Sequence, residues 1–443
     1  MATLSPGLSP TGQPYRRRTV WAWSLYDFAN STFTTLVVTF IYATYFTQAI
    51  AADEIRGTEL WTRGVSLTAL FVIVLSPFLG AYADRTGARK RFLLFTTVVC
   101  ILATAGLFFP GPGEVLLALT LFVIANVAYE LSFVFYNAYL PEIAPPDKIG
   151  RVSGYGWALG YVGGLLALVV ALVVLVQPET APFGLDQATG EHIRATNLLV
   201  AGWFALFSVP TFLVLRESAP AAPPQERSAR SAFSLAFSEL RRTFGEIRRY
   251  RQIVRLLAAR LFYNDGLTTV FQFGGIYAAG TFGFSFEQIL FFGITLNVAA
   301  GVGAFLFGFV DDRIGGRRTI MISLGLLASA TALAVFAQSE WQLWVAGILI
   351  GVASGPNQAA SRSLMGRFVP PNKENEFYGF FSFSGKLAAF FGPIVFGLAT
   401  AAFASQRAGV ASILLFFVAG ALLLLRVDEA EGIRLARAGT TEA

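Results

Sequence analysis

The chain has 443 residues, of which 55% are hydrophobic and only 14% are charged. Its mean hydropathy of +0.60 leaves too few polar residues to cover a soluble globular surface, so the composition indicates a membrane protein with many spans. The net charge of +6 therefore has to be interpreted loop by loop, and it does not predict a nucleic-acid partner. The sequence contains one cysteine and no phosphate-binding loop, metal-ligand cluster or nucleophile motif. It predicts neither a disulfide bond, nor a cofactor, nor an enzyme.

Twelve apolar runs follow one another along the chain, and each is long enough to cross the ~30 Å apolar core of a bilayer as a helix of about 20 residues. The runs of the first half are roughly 20–46, 61–83, 91–110, 115–140, 151–176 and 197–216. Those of the second half are roughly 252–280, 286–310, 318–338, 341–367, 376–402 and 408–426.

One connection between spans occurs twice. Residues 80–91 read GAYADRTGARKR, and residues 308–318 read GFVDDRIGGRR. The matched pairs are Gly80 and Gly308, Asp84 and Asp312, Arg85 and Arg313, Gly87 and Gly315, and Arg89 and Arg317. The sequence Pro-Pro-Asp-Lys at 145–148 likewise recurs as Pro-Pro-Asn-Lys at 370–373. These repeats indicate the duplication of a six-span unit.

The duplication predicts two bundles related by an axis along the membrane normal, at residues 20–216 and 252–426. Residues 1–19 and 427–443 form tails, and 26 of the 33 Lys and Arg residues lie on the side of the amino terminus. This bias predicts that both termini are cytoplasmic. The linker 217–251 ends in an amphipathic pattern that suits a helix on the membrane surface. Its apolar face carries Phe237, Leu240, Phe244 and Ile247.

The doubled pattern G-x-x-x-D-R-x-G-x-R, after the second and eighth spans, resembles the signature loop of the major facilitator superfamily. The resemblance implies an all-α membrane protein with twelve transmembrane helices in two pseudo-symmetric six-helix bundles. It also implies a cytoplasmic gate in which an Asp at a helix boundary accepts backbone donors from a nearby helix start and pairs with Arg. This role would fall on Gly80, Asp84, Arg85, Gly87, Arg89, Asp312 and Arg313. Ala88 and Gly316 stand where the pattern usually has a basic residue, and the fold prediction does not depend on them.

A narrower resemblance covers essentially the whole chain. It is carried by WAWSLYDFANSTFTTLV at 21–37, GRVSGYGWALGYVGG at 150–164, GPNQAASRSLMGRFVPP at 355–371 and GFFSFSGKLAAFFGP at 379–393. These segments are similar to the vacuole-effluxer-like branch, whose fungal members resemble amino-acid effluxers of the vacuole. The resemblance implies transport, and we expect a multi-pass protein of the bacterial inner membrane. The resemblance does not identify the substrate, because related folds host different functions.

Ionisable side chains within spans are costly and by default face a cavity or a partner. This sequence has six, namely Asp27, Glu130, Arg260, Asp265, Arg362 and Lys386. All except Lys386 fall on the first, fourth, seventh and tenth spans, which line the interior of a two-bundle transporter. The distribution therefore predicts a binding site near the middle of the membrane.

The acids in the first half leave two interpretations open. Asp27, with Asn30 on the same helix face, binds substrate or a proton, or it forms a structural pair with Arg362 or Arg260. Glu130, with Asn126 one turn away, binds substrate or a proton in the favoured interpretation.

In the second half, Asp265 is expected to interrupt the seventh span at Gly266 and offer backbone groups to a ligand, or else to be buried in a hydrogen-bonded network. Arg362 and Lys386 are candidates for holding a substrate carboxylate, with neutralisation of the acids as the alternative. Asn357 and Gln358 add neutral polar groups beside Gly355-Pro356.

The sequence thus predicts a secondary transporter that moves a small polar solute, such as an amino acid or related zwitterion, by alternating access. Proton coupling stays open. The expected partners are this solute and the lipid bilayer, and a monomer is expected to suffice. An exporter of amphipathic toxic compounds is the alternative within the class, and a non-transporting membrane sensor is the alternative outside it.

Overall fold

The computed structural model describes residues 15–180, 182–217, 234, 237–238, 240–243, 245 and 249–438. Its regular structure is helical, and twelve long helical segments occur within these residues, in positions that match the predicted spans. In the first half they are α1 Arg17–Ile50, α2 Glu54–Thr86, α3 Arg89–Gly106, α4 Val115–Ile143, α5 Ile149–Val176 and α6 Glu191–Val214. In the second half they are α7 Arg251–Phe282, α8 Phe286–Ile314, α9 Gly316–Phe336, α10 Glu340–Phe368, α11 Glu374–Ala402 and α12 Gln406–Leu424.

Nine of these described segments are long and apolar enough to cross a membrane. The other three, α3, α7 and α10, carry more charged or polar residues. Some helices extend beyond the apolar runs, since capping residues and not hydrophobicity decide where a helix begins. For example, α2 begins at Glu54 and not near residue 61, because the Asp53 carboxylate accepts a hydrogen bond from the backbone of Arg56.

The helical segments contain several local irregularities. Segment α1 changes to π-helical geometry at Phe33–Phe40 and Phe46–Ile50, and α5 does so at Leu172–Val176. Segment α4 consists of Val115–Asn137 and a short turn, Leu140–Ile143. Segment α11 is broken at residues 389–390, between Glu374–Ala388 and Phe391–Ala402.

The expectation that Asp265 and Gly266 interrupt the seventh span is wrong, because α7 is one continuous helix. The break lies on the neighbouring helix α11 instead. Both carboxylate oxygens of Asp265 lie 2.9 Å from the backbone N–H of Gly392, which begins the second part of α11. The first N–H groups of a helix have no partner within it, so the acid on α7 stabilises the broken helix beside it.

Buried hydrophobic side chains form two clusters. The first is drawn from α1–α6, and the second comes almost entirely from α7–α12. Each half of the chain therefore packs around its own core and forms a six-helix bundle. The exact domain limits stay predictions. In the linker, Phe237 and Leu240 lie in helical positions, whereas Phe244 and Ile247 lie outside the described residues.

The connections α2–α3 and α8–α9 lie at one end of the bundles, which we call the hairpin end; the opposite end is the far end. A further helix, α13 (Glu429–Ala438), packs at the hairpin end. Its Glu429 carboxylate accepts hydrogen bonds from the backbone of Gly316 and Arg317 at the start of α9. Glu431, also on α13, accepts hydrogen bonds from Arg251 and Gln252 of α7, and these bonds lower the pKa of its carboxyl group.

Candidate functional site

Asp84, at the end of α2, reaches across to the other bundle. Its carboxylate accepts hydrogen bonds from the backbone N–H groups of Asn375, at 3.1 Å, and Glu376, at 2.8 Å. The side-chain amide of Asn375 donates a third, at 2.6 Å. These groups begin α11, where backbone donors lack intrahelical partners and the helix dipole favours a negative charge. Asp84 is therefore an interbundle helix cap.

Asp312, at the end of α8, makes the equivalent contact in the opposite direction. It accepts hydrogen bonds from the backbone N–H groups of Gly150, at 2.9 Å, and Arg151, at 3.3 Å, which begin α5. The Arg151 guanidinium also donates to it. The internal repeat that relates 145–148 to 370–373 also relates Gly150 and Arg151 to Asn375 and Glu376. The two caps are thus a symmetric pair.

The arginines around the caps do not repeat. Arg89 joins three acids, with nitrogen–oxygen distances of 3.9 Å to Asp84, 2.6 Å to Glu142 and 3.1 Å to Glu374. Its repeat partner Arg317 instead donates to the backbone carbonyl groups of residues 424 and 425. In the second copy, Arg367 lies 2.6 Å from Asp311 and 4.0 Å from Asp312.

The arginines that directly follow the two capping acids were also predicted to take part in the gate. Arg85 lines a pocket at the hairpin end, whereas Arg313 is exposed and forms no ion pair with a described residue. The pairing expected for Arg313 is therefore not seen. The motif glycine has a local explanation, since Gly87 ends α2 with φ of 68°, in the left-handed region that glycine adopts without strain.

Glycines allow the two bundles to touch at the hairpin end. A Cβ on Gly80 of α2 would overlap the carbonyl oxygen of Asn375, and one on Gly379 of α11 would overlap that of Ser76. Across the other interface, Gly154 of α5 faces the carbonyl of Ala304, and Gly308 of α8 faces the backbone of Arg151. Backbone therefore packs directly on backbone in both crossings, as small residues permit.

Arg362 of α10 inserts into a socket on the other bundle, and its side chain is only 2% exposed. It donates to the Asp27 carboxylate at 3.0 Å, the Asn137 amide oxygen at 3.3 Å, the Ser153 hydroxyl at 2.9 Å and the Ser153 carbonyl at 2.6 Å. The guanidinium also lies 4.9 Å from the ring centre of Trp23. These bonds occupy most of its N–H donors. In this state Arg362 closes a contact between the bundles and is not available to a solute.

Glu130 of α4 and Lys386 of α11 form a second interbundle ion pair, with a separation of 2.5 Å. Its side chains are 19% and 29% exposed, so this pair is less deeply buried than that of Asp27 and Arg362, whose side chains are 6% and 2% exposed. At 1.5 Å per residue, Lys386 lies roughly 18 Å along α11 from its start, close to the middle of a bilayer. Glu130 and Lys386 are thus a partly exposed charge pair at mid-depth.

The remaining predicted site residues lie in different surroundings. Asn30 and Asn126 lie in the first bundle. Asn357 donates to the Ser323 hydroxyl at 3.0 Å within the second bundle. Gln358 donates to the Tyr161 hydroxyl at 3.2 Å, which joins α10 to α5 across the interface. Asp265 caps α11 and lies on none of the interbundle contacts described here.

Sequence reasoning missed Ser153, Asn137 and Glu374 as partners in these contacts. Ser153 lies within the segment GRVSGYG, where its polarity among glycines gave a weak signal. Asn137 and Glu374 lie near helix ends, where polar residues are common and carry no specific signal.

Besides the pocket at the hairpin end, two further cavities among the described residues lie between the bundles. A small one of about 40 Å³ has room for little more than water and is lined by Phe133, Asn137, Trp157, Arg260, Asn264, Asn357, Gln358, Ser361, Arg362 and Phe381. A larger one of about 610 Å³ lies at the far end, where α1 and α5 meet α8. Its walls include Phe40, Ile41, Tyr45, Leu168, Leu172 and Ile289.

A solved structure of the major facilitator superfamily proton:xylose symporter XylE, bound to 6-bromo-6-deoxy-D-glucose, matches this fold. The TM-score is 0.75 at 16% identity, over 96% of this chain and 98% of that one. The chain therefore has the major facilitator fold, with two pseudo-symmetric six-helix bundles, and it is a multi-pass membrane protein.

Sequence comparisons define the family. The uncharacterized MFS-type transporter YxiO of Bacillus subtilis (strain 168) is 26% identical over 413 residues, which are 92% of this chain and 94% of that protein. Autophagy-related protein 22 of Coccidioides immitis (strain RS) is 23% identical over 451 residues, which are 85% of this chain and 73% of that protein. The family described as vacuole effluxer Atg22 like matches residues 54–437. The chain belongs to this family, and it is a secondary transporter and not an enzyme.

Proposed function

We propose that the chain transports a small zwitterion, such as an amino acid, by alternating access. The observation that carries this proposal is the ion pair between Glu130 and Lys386, which joins the two bundles at mid-depth and is partly exposed. A zwitterion offers an ammonium group to the acid and a carboxylate to a base, so it compensates both charges when the pair opens. Separation of the pair without such a solute would leave two uncompensated charges in a poorly solvated place.

The distribution of interbundle contacts supports alternating access. The two helix caps, the Arg362 socket and the glycine crossings all lie between the middle of the molecule and the hairpin end. The cavity of about 610 Å³ lies at the opposite end. The described state is thus closed at the hairpin end, and exchange to the opposite state requires these polar contacts to separate.

The charge bias of the loops supports an orientation with the hairpin end in the cytoplasm and both termini inside. The described state then opens away from the cytoplasm. The Bacillus relative supports a place in the inner membrane of a bacterium. One chain contains both bundles and the whole site, so a monomer is the proposed functional unit.

Glu130 is also the proposed coupling group. Its carboxylate pairs with Lys386 in this state, and it would accept a proton when the pair is open and no solute ammonium group lies beside it. Proton binding would then remove the charge that the lost partner had compensated.

Uptake into proteoliposomes tests the proposal. A panel of labelled amino acids is offered with and without an inward proton gradient, to the wild-type chain, to Glu130→Gln and to Glu287→Gln. Glu287 is an exposed acid in the first turn of α8 and serves as the control. We expect uptake of at least one amino acid by the wild type and Glu287→Gln, and loss in Glu130→Gln. Absence of uptake under every gradient would reject the amino-acid assignment.

The lining of the far-end cavity favours a second candidate, the export of amphipathic toxic compounds. Phe40, Ile41, Leu168 and Leu172 supply an apolar wall of the kind that binds such molecules. A lipophilic fluorescent cation, added to the same vesicles, distinguishes this candidate, since its transport would not require Glu130.

A further inference from the structure

We infer that Arg260 of α7 binds the carboxylate of the transported solute, a role that the sequence analysis gave to Arg362 or Lys386. The inference rests on the proposed function in one respect, since it assumes that the chain moves a solute. It goes further because it identifies the residue that binds the anionic group of the solute and requires this group to be a carboxylate.

The Arg260 side chain is held in place by α11. One of its terminal nitrogens donates to the carbonyl oxygen of Phe381, at 2.8 Å, and to the hydroxyl of Ser384, at 2.9 Å. The guanidinium lies over the Phe381 ring, 3.7 Å from its centre. A Cβ on Gly385 would collide with the guanidinium, so the glycine makes room for it. The group is thus fixed in orientation before any solute arrives.

Arg260 differs from the other two intramembrane cations. Arg362 is paired with Asp27 and Lys386 with Glu130, whereas Arg260 has no carboxylate within 4.0 Å among the described residues. Asp265, five residues further along α7, accepts a hydrogen bond from the backbone N–H of Gly392. With both pairs neutral, Arg260 and Asp265 are left as the two intramembrane ions that have no oppositely charged partner within 4.0 Å among the described residues. An unpaired cation is costly at this depth, roughly 14 Å along α7, and favours an anionic partner.

The small cavity shows where this partner would bind. Arg260 lines it together with the amide side chains of Asn264, Asn357 and Gln358. Only one of the terminal nitrogens of Arg260 is used by protein acceptors, so the planar fork keeps donors for a bidentate contact with a carboxylate. The amide groups can donate further hydrogen bonds to its oxygens.

Neither Glu130 nor Lys386 lines the cavity, but residues close to each of them in the chain contact it. Lys386 follows Gly385, which contacts Arg260, and Phe133 of the cavity wall lies one turn after Glu130 on α4. A solute with its carboxylate on Arg260 would therefore place its ammonium group toward Glu130. Because about 40 Å³ is too small for a whole amino acid, the pair of Glu130 and Lys386 has to open for the rest of the solute.

Equilibrium binding to the purified full chain tests the inference. Three sets of probes are compared: labelled amino acids, their carboxamide analogues, and the matching monocarboxylates without an amino group. The proteins are the wild type, Arg260→Gln and Arg260→Lys, with Arg255→Gln as the control. Arg255 lies on the same helix, is exposed, and donates to the carbonyl of Arg426 outside the cavity. Size-exclusion profiles and thermal unfolding check that each variant is folded.

We expect the wild type and Arg255→Gln to bind an amino acid at least about tenfold more tightly than its carboxamide. Arg260→Gln is expected to lose this preference, and Arg260→Lys to keep part of it. A general loss of structure would weaken the binding of both probes, and it would not change the ratio of the affinities for the amino acid and its carboxamide. An unchanged preference in folded Arg260→Gln, or no binding of any carboxylate by the wild type, would overturn the inference.

The same data separate this inference from the proposed function. Binding of monocarboxylates that depends on Arg260, without binding of amino acids, would support the anionic subsite and reject the zwitterion as substrate. Binding of amino acids that does not depend on Arg260 would support the zwitterion as substrate and reject Arg260 as the group that binds its carboxylate.

Discussion

The hairpin end and the far end of the molecule are built differently. At the hairpin end the two bundles meet through charged caps, a sealed arginine socket and glycine crossings that bring backbones into contact. At the far end, α1 and α5 are separated from α8 by a cavity of about 610 Å³ with a largely apolar lining. Directional polar contacts thus join the bundles at the hairpin end, whereas a cavity lies between them at the far end.

This difference indicates which end controls the exchange between states. In the proposed alternating-access cycle, polar contacts with defined partners exist in one arrangement of the bundles and are lost in the other, so their free energy would set the balance between the two states. Weakening the hairpin end should therefore shift the molecule toward the opposite state, whereas equivalent changes elsewhere should not. The following predictions start with the contact of largest expected effect.

The sealed socket of Arg362 should be the most sensitive contact. Arg362→Met would leave the Asp27 carboxylate buried without its cation, and removal of one partner of a buried ion pair costs about 3–5 kcal/mol. We expect a loss of that order in the free energy of unfolding, measured by denaturant titration in detergent. Asp27→Asn in the same chain should recover part of it. An equal effect of Arg313→Met, at an exposed arginine, would contradict this interpretation.

The glycine crossings should come next. Gly379→Ala would press a methyl group against the backbone of Ser76, and overpacking of this kind costs about 1–3 kcal/mol. Opening of the hairpin end relieves the overlap, so we expect faster hydrogen–deuterium exchange in the first turns of α11. Gly397→Ala on the same helix is the control, because its Cβ would have open space. Equal exchange in the two variants would show that the crossing does not hold the bundles together.

The helix caps should have a somewhat smaller effect. Asp84→Ala removes the acceptor of the backbone N–H groups of Asn375 and Glu376, and loss of a capping acid costs about 1–2 kcal/mol. The exchange of these two amides should accelerate roughly 5- to 30-fold. Asp312→Ala should do the same at Gly150 and Arg151. Acceleration spread evenly over all helices would instead indicate general destabilisation.

The smallest effect is expected at Arg151. Its side chain pairs with Asp312 but is 31% exposed, and solvent-screened pairs contribute about 0–1 kcal/mol. Arg151→Gln should therefore leave the exchange at the start of α5 nearly unchanged, since the backbone cap persists. A change as large as that of Asp312→Ala would mean that the guanidinium, and not the backbone cap, holds this contact.

The sequence predicted the fold because its repeated connections and its apolar runs can be recognised from the order of the residues alone. It also predicted the chemistry of the caps, since the doubled Asp84 and Asp312 stand at helix boundaries. It left the partners open, because pairing between residues as distant as Asp27 and Arg362 depends on how the bundles meet.

The wrong expectation at Gly266 has a similar origin. The glycine beside Asp265 suggested a break in α7. The break instead lies on α11, at residues 389–390, where Asp265 accepts a hydrogen bond from the backbone of the second part of that helix. Arg260 was named as an intramembrane charge and as a possible partner of Asp27, but Asp27 pairs with Arg362, and the sequence could not show that Arg260 has no acidic partner among the described residues. Such compensation depends on neighbours more than a hundred residues away.

The most direct test of the central claim measures two distances, each between a pair of spin labels. The labels are attached to introduced cysteines in a Cys100→Ser background. One pair is placed at the far end, on Ile55 and Phe403, which are 85% and 74% exposed. The other is placed at the hairpin end, on the exposed Asp147 and Arg318. If the caps hold the hairpin end closed, replacement of both Asp84 and Asp312 by Asn will lengthen the hairpin-end distance and shorten the far-end distance. Unchanged distributions at both ends, in a folded variant, would contradict the account.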